Sequence, residues 1–352
     1  MNKKNFLTFR LKNWYLQNKR ELPWRNTINP YHIWLSEIIL QQTRVAQGLP
    51  YFLKFTKNFP TVFDLANATE SKVLKLWQGL GYYSRARNLH FTAKHVVNEL
   101  NGEFPISYKE LLTLKGVGDY TASAIASFCY KEPVAVVDGN VYRVLARYFG
   151  INTPINSTKG IKEFKQLAES LIDKNQPDIY NQAIMEFGAL HCKPKNPLCD
   201  TCVFADSCAA LSTNEVDILP VKENKIKIKK RYFNYLVVVT DADKTIIEER
   251  KGKGIWEGLY QFPLVESAKR IDEKELITSE EFKNLFPFST TLSLFNSKKI
   301  VHKLSHQHLI TQFWIVKTSE VKHKTIAWKD VKKYPVPVLI DKFLNEYLTS
   351  TM

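Results

Sequence analysis

The stretch CKPKNPLCDTCVFADSC, residues 192–208, places four of the chain's five cysteines within seventeen residues, with gaps of six, two and five residues between them. In a Lys-rich chain with few other cysteines, such a cluster indicates metal ligands rather than disulfides. Zinc and iron-sulfur clusters both accept four thiolates, but a single CxxC flanked by lone cysteines favours a loop around a [4Fe-4S] cluster. We therefore predict such a cluster, with zinc as the alternative, on the four ligands Cys192, Cys199, Cys202 and Cys208.

The length and charge of the chain limit the classes of protein it can be. Its 352 residues exceed the size at which one core keeps growing, so two domains are expected. Lys and Arg exceed Asp and Glu by fifteen, which indicates a polyanionic partner, nucleic acid first. No apolar run approaches the ~18 residues of a membrane span. The first residues are studded with Lys and Arg and do not resemble a signal peptide. We expect a cytoplasmic protein, on the nucleoid of a bacterial cell.

The first 210 residues show apolar residues at helical spacing, punctuated by Gly, Pro and Asn. This half of the chain is predicted to be an all-α domain, residues 1–210. The helices expected are Tyr31 to Gln42, Ser71 to Trp77, Ser84 to Leu100, Asp119 to Tyr130, Val141 to Phe149 and Asn181 to Leu190. A basic linker is predicted at residues 211–231, where KENKIKIKKR carries six basic residues and one acidic residue.

The remainder, residues 232–352, alternates in the manner of β-strands and is predicted to be an α+β domain. The segments that read as strands are YFNYLVVVTD, KTIIEER, GLYQFPL and TQFWIVK. Helices are expected at Glu273 to Leu285 and Val338 to Leu348.

A glycine turn, LKGVGDYTA at residues 114–122, lies between two predicted helices. Gly116 and Gly118 permit a tight turn whose backbone N–H groups, with that of Val117, point outward at a helix start, where an anion binds. An ordinary turn between helices is the alternative, but the basic charge and the cysteine loop favour a clamp on the DNA backbone, with helices on both sides of the hairpin.

Two carboxylates are candidates for acid-base chemistry. Glu37 lies among Trp, Leu and Ile residues on a predicted helix, so partial desolvation should raise its pKa and let it donate a proton. Asp138 follows an apolar run and opens a helix, where backbone N–H groups should hold it ionised. One protonated and one ionised carboxylate suit cleavage of a glycosidic bond. A buried structural Glu and an ordinary capping Asp are the alternatives.

The segment GLGYYSRARN, residues 79–88, combines a glycine turn, two aromatic residues and two arginines at a helix start. The basic groups suit phosphates, while an aromatic residue can wedge into or stack on bases exposed when a duplex is bent. Gln41 and Gln42, at the end of the Glu37 helix, could fill the space left by an extruded base. Solvated arginines at an amphipathic helix start are the alternative.

Six motifs together resemble the helix-hairpin-helix DNA glycosylases that carry an iron-sulfur cluster, and within them the adenine-excising MutY branch. The resemblance covers the whole length. The motifs are LPWR at Leu22 to Arg25, WLSEIILQQT at Trp34 to Thr43, GLGYYSRARNL at Gly79 to Leu89, LKGVGDYTA at Leu114 to Ala122, VDGNVYRVLAR at Val137 to Arg147, and the cysteine loop.

The resemblance implies a monofunctional enzyme of base-excision repair that removes adenine paired with 8-oxoguanine, or with guanine less well. It implies that Glu37 protonates adenine N7 and helps activate water, and that Asp138 stabilises the sugar cation, supported by Tyr120 and Asn140. The DNA contacts implied are Gln42, Thr43, Tyr82, Arg85, Arg87, Gly116, Val117, Gly118, Ser305 and His306. Among them, Tyr82 resembles the family's wedge beside the damaged guanine. The protein is expected to act as a monomer.

The position of Tyr120 separates this branch from its sibling, the endonuclease III type, which has a lysine there. A tyrosine has no amine, so it cannot form the Schiff base through which the sibling nicks DNA. A pyrimidine glycosylase with lyase activity and a catalytically dead mismatch-binding module are the rival hypotheses.

The C-terminal domain resembles the Nudix-like module that checks the base opposite the adenine in this family. GIWEGLYQFP, residues 254–263, matches its front end, but the acidic REx2EE helix of Nudix hydrolases is missing. We therefore expect recognition of 8-oxoguanine without hydrolysis. Where the family's loop reads Phe-Ser-His, this chain has Leu304, Ser305 and His306, so the hydrogen-bonding pair is kept and the aromatic residue is replaced. A solvated strand face is the alternative for His306 and His308.

Overall fold

The computed structural model describes residues 3–223, 228–286, 290–319, 321 and 323–351. The chain divides into two compact units, the first formed by residues 1–67 and 88–224 and the second by residues 68–87 and 225–352. The helices up to residue 212 are α1 (Lys3–Asn18), α2 (Pro30–Leu40), α3 (Val45–Asn58), α4 (Val62–Asn67), α5 (Glu70–Trp77), α6 (Ser84–Glu99), α7 (Tyr108–Leu111), α8 (Asp119–Tyr130), α9 (Gly139–Phe149), α10 (Thr158–Leu171), α11 (Pro177–Leu190) and α12 (Ala209–Ser212). Across the described ranges, no helix combines the length and apolarity needed to cross a membrane.

The all-α character predicted for this half is confirmed, and local sequence signals explain where its helices begin and end. Asn29 caps α2 by accepting hydrogen bonds from the next residues, and Ser157 caps α10 in the same way. Gly150 ends α9 in the left-handed conformation, with φ +69°, that glycine adopts without strain. These caps satisfy backbone groups at the helix ends and so fix where each helix begins or ends.

One hydrophobic cluster in the core of the first unit is built mainly from α1, α9, α10 and α11. Leu145, Phe164 and Phe187 are fully or almost fully buried there, and burial of such side chains contributes about 1.5–3 kcal/mol each. Phe204, from the cysteine loop, packs edge-on against Phe187 with ring centroids 5.2 Å apart. The cysteine loop is therefore anchored in the same core that carries α9 and α11.

The second unit is an α+β structure, as predicted. Its strands and remaining helices are β1 (Lys229–Thr240), β2 (Lys244–Thr245), β3 (Glu248–Glu249), β4 (Tyr260–Gln261), β5 (Leu264–Ser267), α13 (Glu273–Ile277), α14 (Glu280–Leu285), β6 (Thr291–Leu294), β7 (Ile300–Lys303), β8 (Gln307–Thr318), β9 (Ile326–Ala327) and α15 (Val338–Thr351). Within the described residues, five strands form one sheet in the order β5-β1-β8-β6, with β7 also pairing with β8. The two long strands β1 and β8 run parallel, and the others are antiparallel to their partners.

One predicted helix of this unit is divided in two. Residues 273–285 were expected to form a single helix, but α13 ends at Ile277 and α14 begins at Glu280. Ser279 accepts a hydrogen bond from the backbone N–H of Phe282 and so caps a new helix. The prediction of one continuous helix was therefore wrong, because the capping signal of Ser279 prevails over the apolar periodicity.

The units also differ from the predicted domain boundaries. Residues 68–87 group with the second unit, where Lys75 Nζ donates to the carbonyl of Tyr334 at 3.1 Å and Gln78 Nε2 donates to Asp341 at 2.8 Å. Residues 211–223 of the predicted linker group with the first unit, and residues 229–231 already belong to β1. Residues 224–227 of that linker lie outside the described residues. Tertiary hydrogen bonds, which composition does not reveal, account for the difference.

Candidate active site and cluster loop

Glu37 lies on the buried helix α2 with 6% of its surface exposed. Burial raises the pKa of its carboxyl group to about 7, and the nearby charge of Asp138 adds to the rise, while the hydrogen bond from Tyr120 and the charge of Arg25 oppose it. The predicted upward shift is therefore present, and its main cause is the desolvation that the apolar sequence around Glu37 suggested. At neutral pH a substantial fraction of Glu37 carries a proton.

Tyr120, the second residue of α8, contacts this carboxyl group directly. Its hydroxyl donates a hydrogen bond to Glu37 Oε2 at 2.6 Å and lies 3.7 Å from Met185 Sδ. Burial, together with the charge of Glu37, raises the pKa of Tyr120 well above its ordinary value, so the phenol stays protonated and remains a donor. The hydrogen bond fixes the orientation of the carboxyl group.

Asp138 is the N-cap of α9, as its sequence position predicted. It accepts hydrogen bonds from the backbone N–H groups of Asn140 and Val141 at 2.9 and 2.8 Å, and from Asn140 Nδ2 at 2.7 Å. Burial nevertheless raises the pKa of Asp138 above its ordinary value, and these donors only limit the rise. The cap and the amide of Asn140 favour the ionised form, as the sequence position predicted, while desolvation works against it.

Arg143, one turn further along α9, joins Asn140 to the start of the cysteine loop. Its Nη2 donates to Asn140 Oδ1 at 2.8 Å and to the carbonyl of Gly188 at 2.6 Å, while its Nε donates to the carbonyl of Cys192 at 2.7 Å. A Cβ atom on Gly188 would lie 2.7 Å from the Cβ of Asn140, closer than real contacts allow. Asn140 is thus held between α11 and the arginine.

A cleft of about 1540 Å³ is lined by all four residues predicted to be catalytic, and also by Gln42 and Thr43. Gln42 is exposed and has φ +54°, and Thr43 donates from its hydroxyl to the carbonyl of Gln41 at 3.2 Å. The geometric condition for paired carboxylate chemistry, two acids facing one cavity, is therefore met.

The cleft also contains an ionic cluster that the sequence analysis did not single out. Glu186, which is 1% exposed, accepts hydrogen bonds from Arg20 and from Arg25. Burial disfavours its charge, but the two arginines more than offset this and lower the pKa of Glu186 to about 2. The LPWR motif contains Arg25, but only the folded chain shows that α11 supplies its partner.

The glycine turn before α8 adopts the conformation that its sequence predicted. Gly116 has φ +81°, and a Cβ there would lie 2.8 Å from the Cβ of Asn88. Gly118 is the N-cap of α8 and carries no side chain, and Val117 is buried. The backbone N–H of Val117 donates to the carbonyl of Leu114 at 3.1 Å, so the expectation that this N–H points outward to an anion is wrong. Asp119, at the start of α8, accepts from the Tyr108 hydroxyl at 2.6 Å and pairs with Lys165 at 3.2 Å. The turn retains the features of an anion-binding helix start.

In the second unit, the two arginines predicted to bind phosphates are engaged with protein groups. Arg85 is only 9% exposed. Arg87 donates from Nη1 to the carbonyl of Glu257 at 2.5 Å and from Nη2 to its carboxylate at 2.9 Å. Tyr82, by contrast, is 47% exposed. These positions differ from the solvent-facing arginines that phosphate contacts require, because both guanidinium groups find internal partners.

Ser305 and His306 form the tip of the hairpin between β7 and β8. Both are exposed, the Ser305 hydroxyl lies 3.3 Å from His306 Nδ1, and His306 Nε2 lies 2.8 Å from Gln307 Nε2. The backbone N–H of Leu304 donates to the carbonyl of Gln307 at 2.8 Å and closes the hairpin. The pair is presented at a turn rather than on a strand face.

The four cysteines are half-buried in a loop whose polar groups suit an iron-sulfur cluster. Arg147 Nη1 and the backbone N–H of Phe204 donate to the sulfur atoms of Cys192 and Cys202, each at 3.4 Å. Burial raises the pKa of the Cys202 thiol to about 11, and the charges of the other cysteines add to the rise, a cost that cationic iron removes. Among the residues that the structure describes, no three His, Cys, Asp or Glu side chains lie together as a single-ion site.

Three family profiles match this chain. One described as an HhH-GPD superfamily base excision DNA repair protein covers residues 35–172, and a NUDIX domain covers residues 234–346. The iron-sulfur binding domain of endonuclease III covers residues 192–208. The cysteine loop therefore binds a [4Fe-4S] cluster, and the prediction of iron-sulfur over zinc is confirmed.

Relatives and solved structures agree with these profiles. The adenine DNA glycosylase of Buchnera aphidicola subsp. Baizongia pistaciae is 36% identical over 306 residues, covering 86% of this chain and 84% of the relative. That of Rattus norvegicus is 30% identical over 398 residues, covering 96% of this chain and 77% of the relative.

A thermostable thymine-DNA glycosylase matches 60% of this chain and 97% of its own, with TM-score 0.56 and 29% identity. An endonuclease III in a non-covalent DNA complex shares the fold at TM-score 0.53 and 22% identity, over 61% of this chain and 99% of its own. The chain is a base-excision repair DNA glycosylase and belongs to the adenine DNA glycosylase, or MutY, family.

Proposed function

We propose that this enzyme excises adenine mispaired with 8-oxoguanine, or with guanine, by hydrolysing the N-glycosidic bond of the adenine nucleotide. The observation that carries the proposal is the pairing of Glu37, held by Tyr120 and with a pKa of about 7, with Asp138 in one cleft. Two carboxyl groups in different hydrogen-bonding environments suit an acid and an ion-stabilising role at one sugar. The substrate is a DNA duplex bound by one copy of the chain.

In the proposed reaction the adenine leaves the base stack and enters the cleft, at a cost of roughly a few kcal/mol that is smallest for a mispaired base. Protonated Glu37 donates its proton to adenine N7, so the base leaves as a neutral molecule and the bonding electron pair departs with it. The Asp138 carboxylate stabilises the cation left on the sugar. Water then attacks the anomeric carbon, and Glu37 accepts the proton that the water loses.

Tyr120 and Asn140 orient these two acids in the proposal. The phenol donates to Glu37 Oε2, and the amide of Asn140 donates to Asp138 Oδ2. Because Tyr120 has no amine, no Schiff base with the abasic sugar forms at this position, and we propose a monofunctional enzyme. The bound [4Fe-4S] cluster supplies a cross-link among Cys192, Cys199, Cys202 and Cys208 that holds the loop beside α9.

The recognition of the opposite base is assigned in this proposal to the C-terminal domain, residues 232–352. Exposed hydrogen-bonding groups at a hairpin tip suit contact with a modified base edge, and Ser305 with His306 offers such a pair. In this proposal the glycine turn at Gly116, Val117 and Gly118 binds a phosphate of the duplex at the start of α8. The Val117 N–H donates to the carbonyl of Leu114, so the donors to the phosphate are the neighbouring backbone N–H groups. Gln42 and Thr43 line the cleft and contact the DNA around the extruded nucleotide.

The test is single-turnover release of adenine from duplexes that carry adenine opposite 8-oxoguanine, guanine, cytosine or thymine. We expect release in the order 8-oxoguanine, then guanine, with little from the other two. The Glu37→Gln substitution should reduce the rate by about 10²–10⁴-fold, because the amide cannot donate the proton, while duplex affinity is kept. Glu99→Gln, at an exposed acid on α6, is the matched control and should leave the rate unchanged. Turnover by Glu37→Gln at a rate close to that of the unmodified enzyme would refute the role of Glu37.

A further inference from the structure

The turn before α6 presents an aromatic ring in an unusual backbone conformation. Tyr82 has φ +48°, in the left-handed region that bulky residues rarely adopt, and its ring is 47% exposed. Gly79 and Gly81, which precede it, also have positive φ, at +98° and +81°. Such a conformation persists only where surrounding groups fix it. Some part of the second unit must therefore hold this turn.

Two side chains hold the turn at one atom. Trp77 Nε1 donates to the carbonyl of Gly81 at 3.0 Å, and Arg85 Nη2 donates to the same carbonyl at 3.3 Å. The backbone N–H of Arg85 also donates to the carbonyl of Tyr82 at 2.9 Å. These three hydrogen bonds fix the peptide units on both sides of Tyr82. Trp77, on α5, donates one of them, and Arg85, in the first turn of α6, donates the other two.

The guanidinium group of Arg85 also lies over both aromatic rings. Its central carbon is 5.3 Å from the ring centroid of Trp77 and 5.4 Å from that of Tyr82. Arg85 is only 9% exposed, so its charge is largely removed from solvent, and this burial lowers the pKa of Arg85 to about 10. A desolvated cation over an aromatic face interacts more strongly than an exposed one. The arginine therefore contacts both the carbonyl and the ring of the turn.

We propose that Arg85, together with Trp77, is a positioning residue that sets the direction of the Tyr82 ring for insertion into the DNA beside the mispaired base. Arg85 thus contributes to mispair recognition through Tyr82 and makes no phosphate contact of its own. This inference rests on the proposed function and on the expectation, drawn from the family resemblance, that Tyr82 acts as a wedge in the DNA. It replaces the phosphate-binding role that the sequence suggested for Arg85.

An arginine is required for this role, because its planar guanidinium stacks on rings while donating hydrogen bonds in its own plane. A lysine keeps the positive charge but cannot do both at once. Arg85→Lys should therefore behave like Arg85→Met, whereas a phosphate contact would tolerate lysine. The two explanations differ in an observable way.

The experiment is a double-mutant cycle on the full chain with its cluster loaded. Arg85→Met and Arg85→Lys are each combined with Tyr82→Ala, and adenine release and duplex affinity are measured as functions of salt. We expect each Arg85 change alone to lower kcat/KM on the order of tenfold, and to add less than about twofold when Tyr82 is already alanine. The slope of log affinity against log salt should stay constant, because no phosphate contact is lost. Multiplicative effects in the double variant, or a slope smaller by about one, would overturn the proposal.

Two further measurements keep the proposal testable on its own. Trp77→Phe retains the packed ring but removes the Nε1 donor to Gly81, and it should shift kcat/KM in the same direction as Arg85→Met by a smaller factor; no shift would count against the proposal. Fluorescence of 2-aminopurine placed beside the mispair reports base unstacking without excision. If the unmodified protein unstacks this base and Arg85→Met does not, the positioning role stands even where adenine release fails; equal unstacking by both would overturn it.

Discussion

The carboxylate cleft and the tip of the β7–β8 hairpin differ in how far the folded chain fixes the functional side chains before DNA binds. In the cleft, Glu37 is 6% exposed and receives a hydrogen bond from Tyr120, and Asp138 accepts bonds from the start of α9. At the hairpin tip, Ser305 and His306 are exposed and contact each other. Catalytic groups such as the proposed Glu37 and Asp138 must be held in place before the reaction, because they stabilise charge in a desolvated transition state. Recognition groups such as the proposed Ser305 and His306 can instead become ordered when DNA binds, at a cost in conformational entropy.

The largest effect that this comparison predicts is at Asp138. Asp138→Asn keeps the shape of the N-cap but removes the negative charge that faces the sugar cation, so adenine release should fall by about 10²–10³-fold. The melting temperature should fall only modestly, since an asparagine also caps helices but its amide nitrogen would face the Nδ2 donor of Asn140. Single-turnover rates and thermal melts on the same preparation check both expectations. A rate loss below about tenfold would remove Asp138 from the chemistry.

The pH dependence of the reaction gives the next largest effect. Because burial raises the pKa of Glu37 to about 7 and the acid must be protonated, the excision rate should be highest below that pH and fall above it. The loss should approach about tenfold per pH unit on the alkaline side, with apparent values that belong to the coupled pair of acids. Glu37→Gln should lose this alkaline limb, while variants at the hairpin tip should keep it. An unchanged rate between neutral and alkaline pH would contradict the assignment.

A smaller effect is expected at Arg143, which supports the cleft from behind. Arg143→Met removes the donors to Asn140, Gly188 and Cys192, so Asn140 loses its support and the excision rate should fall by about tenfold. The visible absorbance of the iron-sulfur cluster should also be lost faster in the presence of a chelator. Arg143→Lys, which keeps the charge but not the fork of donors, should resemble Arg143→Met. Wild-type behaviour of both variants would show that the network does not support the site.

The smallest effect is expected at the hairpin tip. Ser305→Ala combined with His306→Ala should reduce the preference for 8-oxoguanine over guanine by about two- to tenfold, the value of a net hydrogen bond or two. Adenine release from the guanine mispair should change less. Ser293→Ala, at another exposed serine in the same sheet, is the control. A loss of activity on both mispairs equal to that of Asp138→Asn would erase the contrast between the two regions.

The fold was largely predictable because its signals are local. The helix predicted at Asp119 to Tyr130 has those bounds in the structure, since a glycine turn precedes it and a continuous small and apolar run fills it. The short strand β7 was not predicted, because its four residues become a strand only by pairing with β8. The break at Ser279 was missed although its signal is local. The apolar periodicity of residues 273–285 predicted one long helix, and the capping serine within it was given less weight.

The cleft was predictable in its acids but not in their surroundings. Glu37 and Asp138 stand in apolar sequence and at a helix start, and those environments alone suggest desolvation and capping. The pair between Arg25 and Glu186 joins residues 161 positions apart, and no periodicity reports such a contact. Arg85 shows the same limit, since its sequence fits a solvated basic helix start, and only the folded chain places its guanidinium group 5.3 Å from the ring centroid of Trp77. Composition identifies charged residues, and tertiary packing decides whether they meet solvent.

The absence of a side chain at Gly188 has a consequence for how this enzyme tolerates change. A Cβ atom added at Gly188 would lie 2.7 Å from the Cβ of Asn140. The backbone of α11 therefore packs directly against Asn140 on α9, and the two helices leave no room for a side chain between them. A single methyl group at residue 188 would push α11 away from Asn140 and so displace the residue that donates to Asp138. Substitutions at residue 188 are therefore limited by the space between the two helices. The glycine itself takes no part in bond breaking.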